Sequence, residues 1–336
     1  MKTAIPKKIS FVNSINNFRC IVLKGFQFNT SNNFMKKLIL SAGLFIFSLS
    51  ASAQQYIDLA SFSYASSSLN TFDSSNATTG LTEMNGDFTL PIVLNDKATI
   101  LTGVTYESMT ASFNLGRSKE TITGITLKAG ANLKHNDKLS GTYMLLPKIS
   151  SDFEKIGRND FQFGGVVLMK YEKSDHFNYK FGAYTNTELF GQFLVPIFGF
   201  YYLNPSEKLE VKVLLPLAGN LNYALTKSTS VGINFKGQIR RYNINTPYGA
   251  ENDRYIARST NEATTYLQYS LKSGINFKAS VGRSIARSFR AYDEKVAFGM
   301  PLTYFGDNRT QFNSDFSDSW LFQFSVFYRL NLKPKS

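Results

Sequence analysis

Apolar and polar residues alternate with a period of two near the C-terminal end of the chain. Between positions 319 and 332 every second residue is aromatic or aliphatic, and the residues between them become polar toward the end. Side chains of a β-strand point alternately to its two faces, so this pattern predicts a strand with one apolar face. The segment is long enough to cross a bilayer, which takes a tilted strand roughly 9–11 residues. Its apolar face consists of Trp320, Phe322, Phe324, Val326, Tyr328, Leu330 and Leu332.

The same alternation returns in many earlier segments. In the segment 125–133, odd positions carry Ile, Leu and Ala, whereas even positions carry Thr, Lys, Gly and Asn. Strict alternation over so many segments indicates half-polar strands. A sustained 3.6-residue period is not found, so we expect no helix longer than a turn or two. Comparable segments lie at 161–171, 177–184, 209–215, 231–240 and 275–282.

The connections between these segments alternate between short turns and longer links. The short turns are rich in Asn, Asp, Gly, Pro and Ser, which tight hairpins need. They lie at 95–97, 135–138, 174–176, 204–207, 226–229 and 272–274, and the longer links lie at 66–80, 108–119, 150–159, 243–261 and 290–317. Bacterial outer-membrane barrels have short periplasmic turns and long outer loops. The sequence therefore predicts an all-β fold, a transmembrane antiparallel up-and-down β-barrel of about 14 strands, with 12 as the alternative.

A secreted β-sandwich would also alternate, and it is the soluble alternative. Aromatic residues near the segment ends favour the membrane, because aromatic girdles mark both membrane interfaces of a barrel. A spanning sheet must also satisfy every backbone polar group, which forces it to close. The candidate girdle consists of Tyr143, Tyr171, Phe177, Tyr179, Tyr202, Trp320 and Tyr328.

Residues 35–53 have the layout of a secretory signal peptide. Two lysines precede a short apolar stretch at 38–49, and Ala51-Ser52-Ala53 supplies the small residues of a cleavage site. We expect Sec-type export, cleavage near Ala53 and a mature barrel of residues 54–336 in the cell outer membrane. An N-terminal membrane anchor is the alternative for residues 35–53, whereas residues 1–34 are interpreted as an upstream extension with Met35 as the working start. The only cysteine, Cys20, precedes the mature part, which excludes disulfides and thiol chemistry there.

Positive charge is concentrated at the N-terminal end. Seven basic residues and no acid lie before the mature part, and their removal leaves about +6 of the net +13. Nucleic acid is therefore a poor explanation of the basic composition. Inside the barrel, the predicted register turns more bases than acids inward, which favours small anionic solutes if the lumen is open. Alternatively, these side chains pair with acids and fill a closed barrel. The candidate lumen residues are Lys128, Lys170, Lys180, Lys212, Lys236, Arg240 and Lys278, with Glu107, Glu172 and Glu210.

The residues that could carry catalysis are few. The chain has two histidines, His135 and His176, and both fall in predicted periplasmic turns. A serine–histidine–acid site at the outer rim would need another histidine, and two isolated histidines do not make an ordinary zinc site. Asn313, Asp315 and Asp318 could contribute to a calcium site, but we interpret them as solvated loop residues. We expect no catalytic residue, no metal and no cofactor.

Two short motifs give a family resemblance. The exit Ala51-Ser52-Ala53-Gln54-Gln55 and the stretch Leu214-Leu215-Pro216-Leu217, followed by Leu221-Asn222-Tyr223, resemble a family of uncharacterised outer-membrane barrels of Bacteroidota, the domain of unknown function 6268. The resemblance implies a Gram-negative host, contact with outer-membrane lipid and insertion by the barrel-assembly machinery. The family offers no active site to carry over.

Three functions follow from these expectations. The leading one is a passive pore or small-solute-binding barrel with a basic lumen. The second is a structural or surface-interaction barrel that acts through its outer loops, such as 290–317. A barrel enzyme is disfavoured by the placement of the histidines. The sequence does not determine the oligomeric state.

We predict that the exported protein begins at Gln54. Small residues at 51 and 53 fit the recognition pocket of a signal peptidase, whereas the residues before them form the apolar stretch. Intact-mass and N-terminal measurements on protein from isolated outer membranes check this. An N-terminus upstream of Met35 would contradict both the signal peptide and the extension.

Overall fold

A computed structural model describes residues 56–113, 115, 119–187, 192–244, 254–292, 298–300, 303–305 and 309–331. The predicted upstream extension, the signal peptide and Cys20 lie outside these residues. The strands are β1 (Tyr56–Thr71), β2 (Thr78–Asn95), β3 (Ala98–Ala111), β4 (Glu120–Lys134), β5 (Leu139–Ser151), β6 (Phe161–Ser174), β7 (Phe177–Asn186), β8 (Gln192–Leu203), β9 (Leu209–Leu215), β10 (Ala218–Ala224), β11 (Thr229–Ile244), β12 (Arg254–Ser270), β13 (Ile275–Tyr292), β14 (Phe298–Met300), β15 (Thr303–Phe305) and β16 (Trp320–Asn331).

Fourteen of these strands close into one antiparallel barrel. Strands β1 to β13 pair each with the next, β13 pairs with β16, and β16 pairs with β1. The two short strands β14 and β15 form a hairpin beside β8. The only helical turn of the described residues is a 3₁₀ turn at Arg158–Asp160. The prediction of an all-β up-and-down barrel with about 14 strands is therefore confirmed.

Among the residues that the structure describes, no helix combines the length and the apolar character needed to cross a membrane.

The two faces of the wall differ as the alternation predicts. Phe163, Phe181 and Phe324 are 53%, 44% and 50% exposed on the outer surface, whereas their neighbours Gln162 and Ser325 are buried inside. A contiguous apolar exterior on a closed sheet is what a bilayer requires and what water disfavours. No dry core lies between two open sheets in the described residues, so the sandwich alternative is wrong.

Several links are shorter than predicted. Strand β1 continues to Thr71, β3 continues to Ala111, and β12 begins at Arg254. The residues at 66–71 are mostly Ser and Asn, which the sequence analysis assigned to a loop. They remain in the ladder because its outer part needs no apolar side chains. Asn70 is held there by bonds from its amide nitrogen to the carbonyl oxygens of Ser67 (3.1 Å) and Thr79 (2.6 Å).

The wall is incomplete between β8 and β11. Strands β9 and β10 have only seven residues each, and their turn at Pro216–Leu217 ends at the middle of β8. No described strand pairs with residues 194–197 on that side, and β14 pairs in parallel with Gln192 and Phe193 alone. Leu194 is exposed at this level, so the interruption lies within the apolar belt.

The outer half of β11 stays paired with β12, but its other edge, beyond the end of β10, faces the interior. Every residue from 237 to 244 is buried on both faces of the strand. Asn243 forms a parallel bridge with Ser151 of β5, a strand on the opposite side of the barrel. The Ser150 hydroxyl donates to the Arg241 carbonyl at 2.8 Å and strengthens this contact. The barrel is therefore divided internally near its outer end.

Side chains replace a missing strand along the outer half of β13. Strand β16 begins at Trp320, so the backbone beyond residue 283 has no ladder partner there. Asp318 accepts from the amides of residues 286 and 287, Asp315 accepts from the Phe289 amide at 2.7 Å, and Asn313 accepts from the Ala291 amide at 2.7 Å. Asp315 and Asn313 are buried. The interpretation of these residues as solvated loop residues is wrong, because the free amides of β13 need acceptors.

We predict that Asp315→Ala lowers the free energy of unfolding by about 1–3 kcal/mol, because it leaves a buried amide and the Arg290 guanidinium without their acceptor. Urea unfolding in detergent, followed by heat-modifiable gel mobility, measures the effect. Asp96→Ala in an exposed turn is the matched control and should change stability by less than about 0.5 kcal/mol. Equal stability of the two variants would contradict the role of Asp315.

Candidate functional site: the lumen and its basic chamber

The candidate lumen residues lie on the inner face of the wall, in two groups. Lys128, Lys170, Lys212 and Arg240 are in ion pairs, whereas Lys180 and Lys278 are not in any ion pair within the described part of the chain. Lys170 and Lys212 pair with acids two residues away on their own strands, whereas Lys128 and Arg240 pair with acids on β2 and β3. Lys212 lines the same chamber as Lys180 and Lys278.

The outer half of the lumen is crossed by buried ion pairs. Arg258 of β12 donates from one terminal nitrogen to both carboxylate oxygens of Glu83 on β2, at 2.7 and 2.8 Å. Glu107 of β3 accepts from Lys148 of β5 at 2.7 Å and from Arg240 of β11 at 3.2 Å. All five side chains are at most 7% exposed. Such pairs are stable only when both partners stay in place, so they form a rigid barrier.

An apolar cluster seals the lumen beyond these ion pairs. Phe113, Phe289 and Phe316 are essentially inaccessible, and the rings of Phe289 and Phe316 stack with centroids 4.8 Å apart. Tyr242 of the outer half of β11 joins the same cluster. The described residues therefore close the outer end with packed side chains from the wall and from the segment 309–319.

A chamber of about 370 Å³ occupies the other half of the barrel, toward the short turns. Lysine side chains reach it from four strands: Lys180 from β7, Lys212 from β9, Lys236 from β11 and Lys278 from β13. The acids that line it are Asp58, Asp87 and Glu210. Lys236 lies opposite Glu262 in the ladder between β11 and β12.

Lys180 and Lys278 face each other from nearly opposite walls. In the described residues, Lys180 makes no hydrogen bond, ion pair or ring contact. Lys278 contacts only aromatic rings, with its ammonium 5.2 Å from the Tyr266 centroid and 5.9 Å from that of Phe327. An ammonium group in a confined space without an ion-pair partner loses hydration that the described residues do not replace.

A polar bridge crosses the end of the chamber near the short turns. The Tyr56 hydroxyl on β1 donates to Glu210 of β9 at 2.6 Å, and Lys212 donates to the same hydroxyl. Arg329 of β16 binds Asp58 through two bonds of 2.7 and 3.0 Å and stacks on the Tyr56 ring. Sequence analysis missed Tyr56, Asp58 and Arg329. The two-residue alternation assigns these side chains to one face of their strands. It cannot show that Tyr56 on β1 contacts Glu210 on β9 across the lumen.

The candidate girdle residues all lie on the outer surface. Tyr171 pairs with Tyr179 across β6 and β7, and the Phe177 ring is 4.8 Å from Tyr179 and 6.4 Å from Tyr202. These residues, with Tyr143 and Tyr328, are near the short turns, whereas Trp320 begins β16 near the long loops. Their role at the membrane interface stays a prediction.

The two histidines lie apart in short turns. His135 makes a 3.0 Å hydrogen bond with the Tyr143 hydroxyl, and His176 lies in the turn between β6 and β7. In the described ranges, no group of three histidine, cysteine or acidic residues is arranged to hold a metal. Asn313, Asp315 and Asp318 are engaged with the β13 backbone instead.

A closed barrel with an apolar exterior, a polar interior and short turns at one end defines a transmembrane β-barrel of the outer-membrane type. Within this class, the chain belongs to the family Domain of unknown function (DUF6268), whose match covers residues 49–324. The family resemblance expected from the sequence is confirmed. The assignment to Bacteroidota stays a prediction.

Solved structures with a similar arrangement are also outer-membrane barrels. They include the TodX monoaromatic hydrocarbon channel deltaS2 mutant (11% identity, 85% of this chain and 92% of that chain, TM-score 0.36). A Pseudomonas aeruginosa FadL homologue is 10% identical over 80% of this chain and 89% of its own, with a TM-score of 0.32. The P. putida toluene transporter TodX is 10% identical over 82% and 91%, with a TM-score of 0.33. These likenesses concern barrel architecture alone. No curated protein sequence matches the chain significantly.

We predict that the wild-type barrel conducts poorly in planar bilayers and that the double variant Glu83→Ser, Arg258→Ser conducts better. The two serines remove a cross-lumen ion pair, and Glu262, which also contacts Arg258 at 3.6 Å, keeps Lys236 opposite it in the ladder. Asp96→Ser with Lys97→Ser removes one acid and one base from an exposed turn, and this control should behave as the wild type. Steady porin-like conductance of the wild type would contradict the packed outer half.

Proposed function

We propose that this barrel admits and binds small anionic solutes in its basic chamber. The observation that carries the proposal is the pair Lys180 and Lys278, which reach one chamber from opposite walls without a carboxylate partner in the described residues. Two ammonium groups raise the local potential, and low-dielectric walls strengthen their attraction for an anion. Side-chain amide groups of Asn222, Asn234 and Gln268 add donors around them.

Binding fits the geometry better than permanent passage. A permanently open pore needs a continuous aqueous path, whereas the buried pairs of Glu83 and Glu107 and the apolar cluster beyond them occupy the outer half. A solute in the chamber meets this barrier and stays on the side of the short turns. Release of the solute at the outer end of the barrel would require residues 237–244 of β11 to move.

The position of the chamber indicates the side of the membrane from which a solute would enter it. In outer-membrane barrels the short turns lie on the periplasmic side, so the chamber is proposed to receive solute from the periplasm. The polar bridge from Tyr56 to Glu210 lies across that entrance. Insertion by the barrel-assembly machinery remains part of the proposal, with β16 as the closing strand.

We predict that the double variant Lys180→Gln, Lys278→Gln loses roughly tenfold or more in anion affinity, because each ammonium contributes a charge-assisted contact. Isothermal titration of the barrel in nanodiscs with phosphate, acetate and octanoate measures the loss, with empty nanodiscs as the blank. The double variant Lys227→Gln, Lys272→Gln removes the same two charges from exposed turns and should bind as the wild type. The proposal fails if none of the three anions binds, or if the double variant binds them unchanged.

A further inference from the structure

The basic chamber has an apolar side as well as a cationic one. Leu168 of β6, Leu214 of β9 and Leu217 at the tip of the β9–β10 hairpin line it. Leu168 and Leu217 are buried and belong to a large apolar cluster, and Leu214 packs against that cluster. Lys180 lies next to this side, because β7 pairs with β6 and Gly182 stands opposite Leu168. A cation and an aliphatic surface therefore meet within one site.

The apolar side continues to the interruption of the wall. Phe193, Val195 and Ile197 of β8 point inward and are at most 1% exposed, at the level where β8 lacks a neighbour of the barrel wall. They share the cluster with Leu217 and Ile239. The same cluster continues on the neighbouring strands through Met144 of β5, Val166 of β6 and Tyr184 of β7. The apolar side of the interior therefore extends from β5 to the interruption beside β8.

From this we infer that the ligand is an amphipathic anion, with its charged group between Lys180 and Lys278 and its apolar part on Leu168, Leu214 and Leu217. The inference rests on the proposed function and names its ligand class. Burial of aliphatic surface is favourable for an apolar chain, whereas a compact inorganic anion gains nothing from these leucines. A chamber volume of about 370 Å³ falls within the range of small-molecule sites, roughly 300–1,000 Å³.

A homologous series of straight-chain carboxylates tests the inference on the unaltered protein. Acetate, butyrate, hexanoate and octanoate are titrated into the barrel in nanodiscs, with empty nanodiscs subtracted for partition into lipid. Each added methylene should tighten binding by roughly twofold to fourfold, as expected for apolar burial. Octanol has the tail without the charge, and it should bind at least roughly tenfold more weakly than octanoate.

A pair of variants tests whether the dependence of affinity on chain length comes from the leucines that line the chamber. Leu214→Asn should lower the ratio of octanoate to acetate affinity by roughly tenfold, because a polar amide replaces part of the apolar surface. Leu225→Asn makes the same change at an exposed turn outside the chamber, and the ratio should keep its wild-type value. Heat-modifiable mobility of both variants verifies that the barrel has folded.

The possible failures separate the two proposals. If acetate and octanoate bind equally and both depend on Lys180 and Lys278, the amphipathic ligand is excluded and the anion-binding chamber stands. Equal binding of octanol and octanoate would also exclude it. If no carboxylate and no phosphate binds, the proposed function fails and the inference fails with it.

Discussion

Backbone hydrogen bonding in hydrocarbon is the constraint on which this barrel depends. Lipid offers no donors or acceptors, so an open strand edge is costly there, and the described sheet closes except beside residues 194–197 of β8. Where a neighbouring strand stops short, the long connection between β13 and β16 takes its place. Its side-chain oxygens at Asn313, Asp315 and Asp318 serve the amides of β13, and its hairpin pairs with Gln192 and Phe193 of β8. One connection thus repairs the ladder at two places.

A second constraint on the barrel is the free-energy cost of confining charged side chains in the lumen. Because the exterior is apolar, the polar residues at every second position point into the lumen. Charged side chains confined there are costly unless they are paired. In the outer half, acids on β2 and β3 meet bases from β5, β11 and β12, and the space is filled. In the other half, Lys180 and Lys278 have no carboxylate partner among the described residues. The barrel therefore combines a packed outer half with a chamber in which two bases have no ion-pair partner among the described residues.

The length of one hairpin links the wall to the chamber. Because β9 and β10 end at Pro216–Leu217, the wall beside β8 is incomplete, and the inner face of β8 is apolar there. Leu217 at the tip belongs both to the apolar cluster and to the chamber lining. The tip of the short hairpin therefore lies where the interruption of the wall meets the aliphatic side of the chamber.

The sequence by itself determined the strands, their two faces, the short turns and the family, because a period of two is a local property that each segment carries alone. It also placed Lys180, Lys278 and the other candidate bases on the inner face. Only the tertiary structure decided which of them are paired. Glu107 meets Arg240, and Tyr56 meets Glu210, across 133 and 154 residues of chain. Such neighbours depend on strand order, on the contact of β11 with β5 and on the short β9–β10 hairpin, and alternation contains none of this information. The roles of Asn313 and Asp315 could not be predicted from the sequence for the same reason. The backbone amides that they bind lie on an edge of β13 that exists only after the barrel closes.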